Sequence, residues 1–362
     1  MSKIRVGVVG VGNCFAGLYQ GIEYYHQNPE KKVIGIMHEK VGEYSWDDIE
    51  FVSAFDVGKN KIGKHLHEAV YCEPNLVRWV ERMPKSECIV SESPVLDGVG
   101  IWVENRINPI KNKKSPSQLK KEILNKLRKT ETEVIINYLP VGSQKATEFW
   151  ARVALEAGCA FVNCIPVFIA SDGRWGRRFE RAGIPVVGDD IKGLVGATIL
   201  HRTLVRLCDE RGAKILRTYQ INVGGNTDFI NMKEQKRLES KKISKTESVQ
   251  SQLKERLPDA NIYVGPSDFI PFLGNTKIMF MRIEGAMWAG MPYSIDVRLE
   301  ADDKANSAGI AIDAIRAAKI AMDRGLGGPI EAASAYLMKH PPKQYSDDVA
   351  RKMLEEFISC DE

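Results

Sequence analysis

The chain has 362 residues, 44% of them hydrophobic and 27% charged, a soluble globular composition long enough for one large or two ordinary domains. Its net charge of +4 is too balanced for a nucleic-acid surface and suits a small anionic ligand. Seven scattered cysteines without a C-x-x-C pair argue against a disulfide framework or zinc site and for a reducing cytoplasm, and no apolar run is long enough to span a bilayer.

Lys3 to Val9 is a short β-branched run ending in glycines. It reads as a buried first strand, not as the long apolar core and cleavage site of a signal peptide. Ile49 to Val57 is a second strand and Glu133 to Pro140 a third, followed by a helix through Ala157 that Gly158 ends. Between them, Ser115-Pro116-Ser117-Gln118 has capping-box spacing with proline in the first turn, and Leu119, Ile123 and Leu127 share one face. The surrounding lysines are then the solvated side of a surface helix. Ala160 to Pro166 and Ile184 to Asp190 continue an alternation of strands and helices that predicts a parallel sheet covered on both faces.

After a helix stopped by Gly212 the pattern changes. From Leu216 to Leu299 the chain alternates, in "LRTYQINV", "KIMFMRIEGAM" and "YSIDVRLEA", as antiparallel strands with one buried face. From Ser307 an alanine-rich helix runs to the Gly325, Gly327, Gly328, Pro329 cluster, and the remaining residues are again helical in character.

Two stretches carry chemistry. "VGVVGVGNCFAG" sets Gly10-x-Gly12 between a strand and a helix, where the backbone approaches a pyrophosphate and helix N–H groups meet it. Phe15 stands at the usual third glycine, so the fingerprint is incomplete and a bare glycine turn is the alternative. Asp56 ends the second strand, where an acid takes ribose hydroxyls and favours NAD over NADP; it also reads as an ordinary turn aspartate. It lies 56 − 12 = 44 residues beyond Gly12 instead of about 20, which predicts an insertion over His26 to Asp47. The second stretch, "LESKKISKTES" from Leu238 to Ser248, carries Lys241, Lys242 and Lys245. It is either a solvated loop or a set of ammonium groups aimed at developing negative charge. Ser244 to Glu247 has capping-box spacing, which predicts Lys245 in the first turn of a helix.

The ordered segments "VGVGN", "GIEYY", "FVSAFDV", "YLPVGS", "FVNCIPVFIAS", "VGDDIK", "NVGGNTDFINM", "ESKKISK", "VGPSDF", "NSAGIAID" and "SAYLMKHPP" together resemble the myo-inositol-1-phosphate synthase family, and most closely its shorter bacterial and archaeal form. The resemblance spans nearly the whole chain. It implies an α/β fold: a Rossmann-like NAD-binding domain over 1–200, an α+β sheet domain over 201–306 for catalysis and tetramerisation, and a C-terminal helical segment over 307–362 that packs back on the first domain. It also implies a cytoplasmic homotetramer that converts glucose 6-phosphate to inositol phosphate. C5 is oxidised by NAD, C6 is deprotonated, the enolate closes on the C1 aldehyde, and the C5 ketone is reduced again. A divalent or monovalent cation is left open.

Two oxyanions develop on this route beside a phosphate dianion, so fixed cationic donors are what it requires. By the resemblance, Lys241, Lys245, Lys277 and Lys339 are the catalytic lysines with Asp303 beside them, and Asn222, Asn226 and Asp228 form the substrate loop. Gly10, Gly12, Asn13, Cys14, Asp56, Tyr138, Leu139, Pro166 and Asp190 meet the cofactor. Lys242 has no such role and is expected to face solvent. His201 reads as structural, and Lys277 also fits a lysine guarding a sheet edge. Gly193 departs from the serine of the eukaryotic enzymes. An ordinary NAD-dependent dehydrogenase of a small phosphorylated or amino-acid substrate is the rival reading; it needs the turn and Asp56 but not four convergent lysines.

Overall fold

The computed structural model describes residues 3–234, 237 and 239–359. β1 (Ile4–Val9), buried at every position but Arg5, leads through the glycine turn into α1 (Asn13–His26). A loop and the hairpin β2 (Lys40–Val41) and β3 (Tyr44–Ser45) then precede β4 (Ile49–Asp56), so the expected insertion is real and lies outside the main sheet. There follow α2 (Leu66–Ala69), β5 (Val90–Glu92), α3 (Glu104–Ile107), α4 (Pro116–Lys129), β6 (Val134–Asn137), α5 (Gln144–Ala157), β7 (Ala160–Asn163), α6 (Gly173–Ala182) and β8 (Pro185–Gly188). The reciprocal Ser115–Gln118 capping box opens α4, whose Leu119, Ile123 and Leu127 are buried. The second half comprises α7 (Ala197–Glu210), β9 (Lys214–Gly224), α8 (Thr227–Asn231), α9 (Glu239–Gln250), β10 (Ile262–Phe269), β11 (Thr276–Ala286), β12 (Pro292–Asp302), α10 (Ala305–Asp323), β13 (Gly328–Pro329), α11 (Glu331–Leu337) and α12 (Asp347–Ser359).

The first sheet is wholly parallel, in the order β5-β4-β1-β6-β7-β8-β13. Its strands are apolar on both sides because both faces are covered. Val6, Val8, Ile136 and Val162 pack with α1 and α10, and Val9, Ile135 and Phe161 pack with α4, α5 and α6. Residues of α11 and α12, Leu337 and Leu354 among them, join the α1 side of this core. Chain order reverses between β1 and β6, and that reversal opens a crevice at their C-terminal ends.

The inserted loop is riveted to α10. Gly309 has no side chain because a Cβ there would sit 1.6 Å from the carbonyl oxygen of Gly35. Arg316, fully buried, donates to the carbonyl oxygens of His38 (2.8 Å), Glu39 (3.0 Å) and Tyr44 (3.2 Å).

The second sheet has the order β10-β9-β11-β12. The three quoted strands pair antiparallel as their alternation predicts. β10 was not among them, and it pairs parallel to β9. The inner face, with Met279, Met281 and Ile283, is covered by residues of α7 and α9 such as Val205 and Val249. The outer face is open and carries exposed Tyr219, Ile221, Tyr263 and Phe280, with Ile221 paired opposite Phe280.

Candidate active site

The crevice at the end of β1 widens into a cavity lined by Gly10, Gly12, Asn13, Cys14, Asp56, Tyr138 and Leu139. Gly10 is needed for its backbone: φ is +90°, and a Cβ would meet the Tyr138 carbonyl oxygen at 2.8 Å. At Gly12 a Cβ would meet nothing within 4 Å, which leaves open space at the N-terminus of α1. The Asp56 carboxylate ties the turn together, accepting from the backbone N–H groups of Val11 (2.8 Å), Val57 (2.8 Å) and Gly58 (2.7 Å). Phe55, Val57, Val95, Leu96 and Ile107 make one wall apolar. Free helix N–H groups, an acid at the strand end and an apolar slot are the donor set a dinucleotide takes, so the residues fit NAD.

A second cavity adjoins the first and shares Cys14, Tyr138, Leu139 and Asp228 with it. Into it converge Lys241 and Lys245 from α9, Lys277 from β11 and Lys339 from the turn after α11, with Asp190, Asp303 and Pro166. Lys339 Nζ lies 2.9 Å from Asp190 Oδ1, and Ser244 Oγ donates to Asp190 Oδ2 at 2.7 Å. Lys277 Nζ lies 3.2 Å from Asp303 Oδ1. Among the described residues Lys245 forms no ion pair.

Burial and crowding act on the protons in opposite senses for the two signs of charge. Burial, then Lys241, Lys277 and Lys339, push Lys245 well below the usual lysine value. Burial also lowers Lys241, against the pull of Asp190. Burial opposes ionisation of Asp190, but Lys339 and Lys241 outweigh it and hold the carboxyl below its ordinary value. Asp303 is likewise held well down, burial being overcome by Lys277, Lys304 and Lys241. Burial raises the Cys14 thiol to about 11, so it stays protonated at neutral pH.

Several placements differ from those expected. α9 begins at Glu239, so Ser244 and Lys245 lie inside the helix and not at its start; the Ser244 hydroxyl serves Asp190 and caps nothing. Leu238 lies outside the described residues. Lys241 and Lys245, one helical turn apart, face the cavity, whereas Lys242 is exposed. Lys277 stands on an inner strand between β9 and β12, so it guards no edge. Pro166 and Asp190 line the lysine cavity and not the first one. Asn222 and Asn226 line neither: both are buried, with unpartnered Nδ2 atoms. His201 is buried against Thr218, 2.8 Å away. A Cβ at Gly193 would press on the Asn306 side chain at 2.9 Å, which accounts for glycine there.

Three buried lysines in or beside the site, Lys61, Lys192 and Lys304, are not among the residues expected above. Lys61 Nζ donates to the Val11 carbonyl oxygen at 2.7 Å and steadies the glycine turn. Lys192 lines the second cavity and reaches Ala335 O and Asp347 Oδ1 at 3.0 and 3.2 Å. Lys304 lies 2.9 Å from Asp228 Oδ2. Each sits in a charged, loop-like context in the sequence, and only the fold buries it.

The family model described as myo-inositol-1-phosphate synthase matches residues 196–304. The chain is 49% identical over 361 residues to the inositol-3-phosphate synthase of Mycolicibacterium smegmatis, covering 98% of each chain. It is 48% identical over 363 residues to that of Corynebacterium glutamicum, covering 99% of this chain and 98% of the other. A solved myo-inositol-1-phosphate synthase-related protein of Thermotoga maritima superposes with a TM-score of 0.82 at 22% identity, covering 98% of each chain.

Lys192 gives the site a measurable pH signature. Burial, then Arg202, push it down from 10.5 to about 7 against the pull of Asp347. The unfolded chain therefore binds the extra proton across this interval, and stability rises with pH from about 7 to 10.5, by at most about 1.4 kcal/mol per pH unit. Lys192→Met lacks that rise. Relative to the unmodified chain, it should be more stable at about pH 6.5 than at about pH 9 in urea unfolding. An unchanged difference between the two pH values would contradict this.

Proposed function

The chain belongs to the myo-inositol-1-phosphate synthase family, and we propose that its two adjoining cavities form one continuous site for NAD and glucose 6-phosphate. The reaction is the redox-neutral isomerisation of glucose 6-phosphate to inositol phosphate. NAD, when bound, supplies the hydride acceptor at C5 and the donor that returns the hydride after ring closure. The observation that carries the site assignment is the convergence of four lysines on the cavity that shares Cys14, Tyr138, Leu139 and Asp228 with the dinucleotide crevice.

In this reading Lys245 is the base. It is buried, depressed by three neighbouring ammonium groups, and without an ion pair to hold its proton. It takes a C6 proton from the C5 ketone, and the electron pair moves onto the C5 oxygen. The C6–C1 bond then forms, and the C1 oxygen takes a proton from an ammonium group. Lys241, Lys277 and Lys339 supply fixed positive charge for both oxyanions in a water-poor pocket. As the hydride leaves C5, Lys339 cedes a proton to Asp190, 2.9 Å away, and takes up the C5 hydroxyl proton, and the transfer reverses when the ketone is reduced. The unpartnered Nδ2 atoms of Asn222 and Asn226 support a polar ligand close by, since buried donors without partners are rare. Asp56 Oδ2 keeps a lone pair for a ribose hydroxyl after binding Val11 N–H.

The open outer face of the second sheet supports homotetramer assembly through Tyr219, Ile221 and Phe280. The six described cysteines are all free, which suits the cytoplasm, and Cys360 lies outside the described residues. No helix among the described residues is long and apolar enough to cross a membrane.

Four outcomes test this reading. With glucose 6-phosphate and sub-stoichiometric NAD, inositol phosphate should accumulate over many turnovers without NADH; a stoichiometric rise in NADH would mark an ordinary dehydrogenase. Lys241→Ala and Lys245→Ala should each lower cyclisation about 10²–10³-fold, while Lys242→Ala, a solvated charge, should leave it near normal. The reverse ranking would refute the face assignment. Asp56→Ala should weaken NAD by about 10-fold or more and narrow the NAD/NADP preference, read by titration calorimetry. An Ile221→Glu, Phe280→Glu double variant should sediment as a smaller species than the unmodified chain; a monomer in both would remove the assembly.

A further inference from the structure

One buried ammonium at the junction of the two cavities has no part in the steps above. Lys304 opens α10, and its side chain is 0% exposed. Nζ lies 2.9 Å from Asp228 Oδ2, 3.4 Å from Asp303 Oδ2 and 3.4 Å from Cys14 Sγ. Asp228 belongs to both cavities and Cys14 to the first turn of α1, so this charge stands where cofactor and substrate ends of the site meet. The stem is accommodated by α1: a Cβ at Gly17 would come within 3.0 Å of Lys304 Cβ.

The two carboxylates come from separate elements, Asp228 from α8 and Asp303 from the turn after β12. Together they make an anionic notch of carboxylate oxygens beside the glycine turn, with the Cys14 thiol at its edge. Without Lys304 such a notch would draw its balancing charge from solution, and oxygen ligands suit potassium, magnesium or manganese. The residues do not fit a resident metal as they stand. Among the described residues no three His, Cys, Asp or Glu side chains gather to hold one, and the notch is filled by the chain's own ammonium. Burying a charge among carboxylates is a poor route to stability alone, because apolar side chains of similar volume often do as well. A charge retained there serves the anions that meet it.

Resting on the reaction assigned above, we propose that Lys304 is a built-in cation: it supplies between Asp228 and Asp303 the positive charge that a metal or monovalent ion would otherwise bring, and the chain needs no activating cation. Lys304 acts on the site by positioning and neutralising the two carboxylates. Burial works against its charge, but Asp228 and Asp303 hold the ammonium protonated.

The test uses the full chain, treated with a chelator and exchanged into tetramethylammonium buffer, with NAD, glucose 6-phosphate and identification of the product. The unmodified chain should form inositol phosphate at a rate that potassium, ammonium, magnesium or manganese does not change. Lys304→Ala, which keeps both carboxylates, should fall about 10²-fold in that buffer and recover saturably with one of these ions. Manganese should bind Lys304→Ala and not the unmodified chain, read by electron paramagnetic resonance. Loss of activity on chelation of the unmodified chain, restored by manganese, would overturn the inference. So would a Lys304→Ala variant fully active without added cations. If Lys304→Ala does not fold, the chelated unmodified chain decides alone. A chain that makes no inositol phosphate under any ionic condition would overturn the assigned reaction and this inference with it, whereas cation dependence overturns the inference only.

Discussion

Ammonium groups gathered away from water repel one another, and the repulsion grows as the effective dielectric falls. The site holds them only because carboxylates are interleaved among them. Asp190 pairs with Lys339, and Asp303 stands between Lys277 and Lys304, with Asp228 on the far side of Lys304. Lys245 is left with cationic neighbours and no carboxylate of its own among the described contacts. The same arrangement that holds the carboxylates ionised lowers Lys241 and, further, Lys245. In the proposed reaction a base and its electrostatic support thus come from one residue type, sorted by the position of three aspartates.

The scaffold exists to set those aspartates. Asp190 adopts a left-handed backbone, φ +63°, uncommon for a residue with a side chain. It is held from both sides: its N–H donates to Ile165 O at 3.2 Å, and its carbonyl accepts from Lys339 N at 2.7 Å. Asp303 follows β12, where its N–H donates to Asn275 O at 3.1 Å, and the β11–β12 register brings Lys277 opposite Ala301. One carboxylate is therefore fixed by the parallel sheet and its C-terminal segment, the other by the second sheet, and the cavity is the seam between them.

Much of this was legible before any coordinates. The parallel strands announced themselves because covered strands carry unbroken β-branched runs, and α4 because its cap and apolar face agree. Lys241 and Lys245 lie one helical turn apart, a signal present in the spacing, but the Ser244-x-x-Glu247 pattern pointed to a helix start. That serine is drawn inward by Asp190. No local pattern joins Lys277 to Lys339; only the whole-chain resemblance linked them, and the fold brings them to one cavity. Lys304 was out of reach altogether. Its burial depends on a glycine in α1 and an aspartate in α8, which no window of sequence contains.

The turn after α11 has a consequence in time as well as in space. Lys339, together with β13 and the Asp347 that holds Lys192, leaves the ribosome after the strands of the parallel sheet from β1 to β8. The dinucleotide crevice between β1 and β6, by contrast, is built from residues near the beginning. During synthesis the crevice strands are therefore made first, and Asp190 waits without its counter-ion until the turn after α11 has been made. A protease cut beyond α10 would return the enzyme to that juvenile state: a chain with its crevice but without Lys339 beside Asp190.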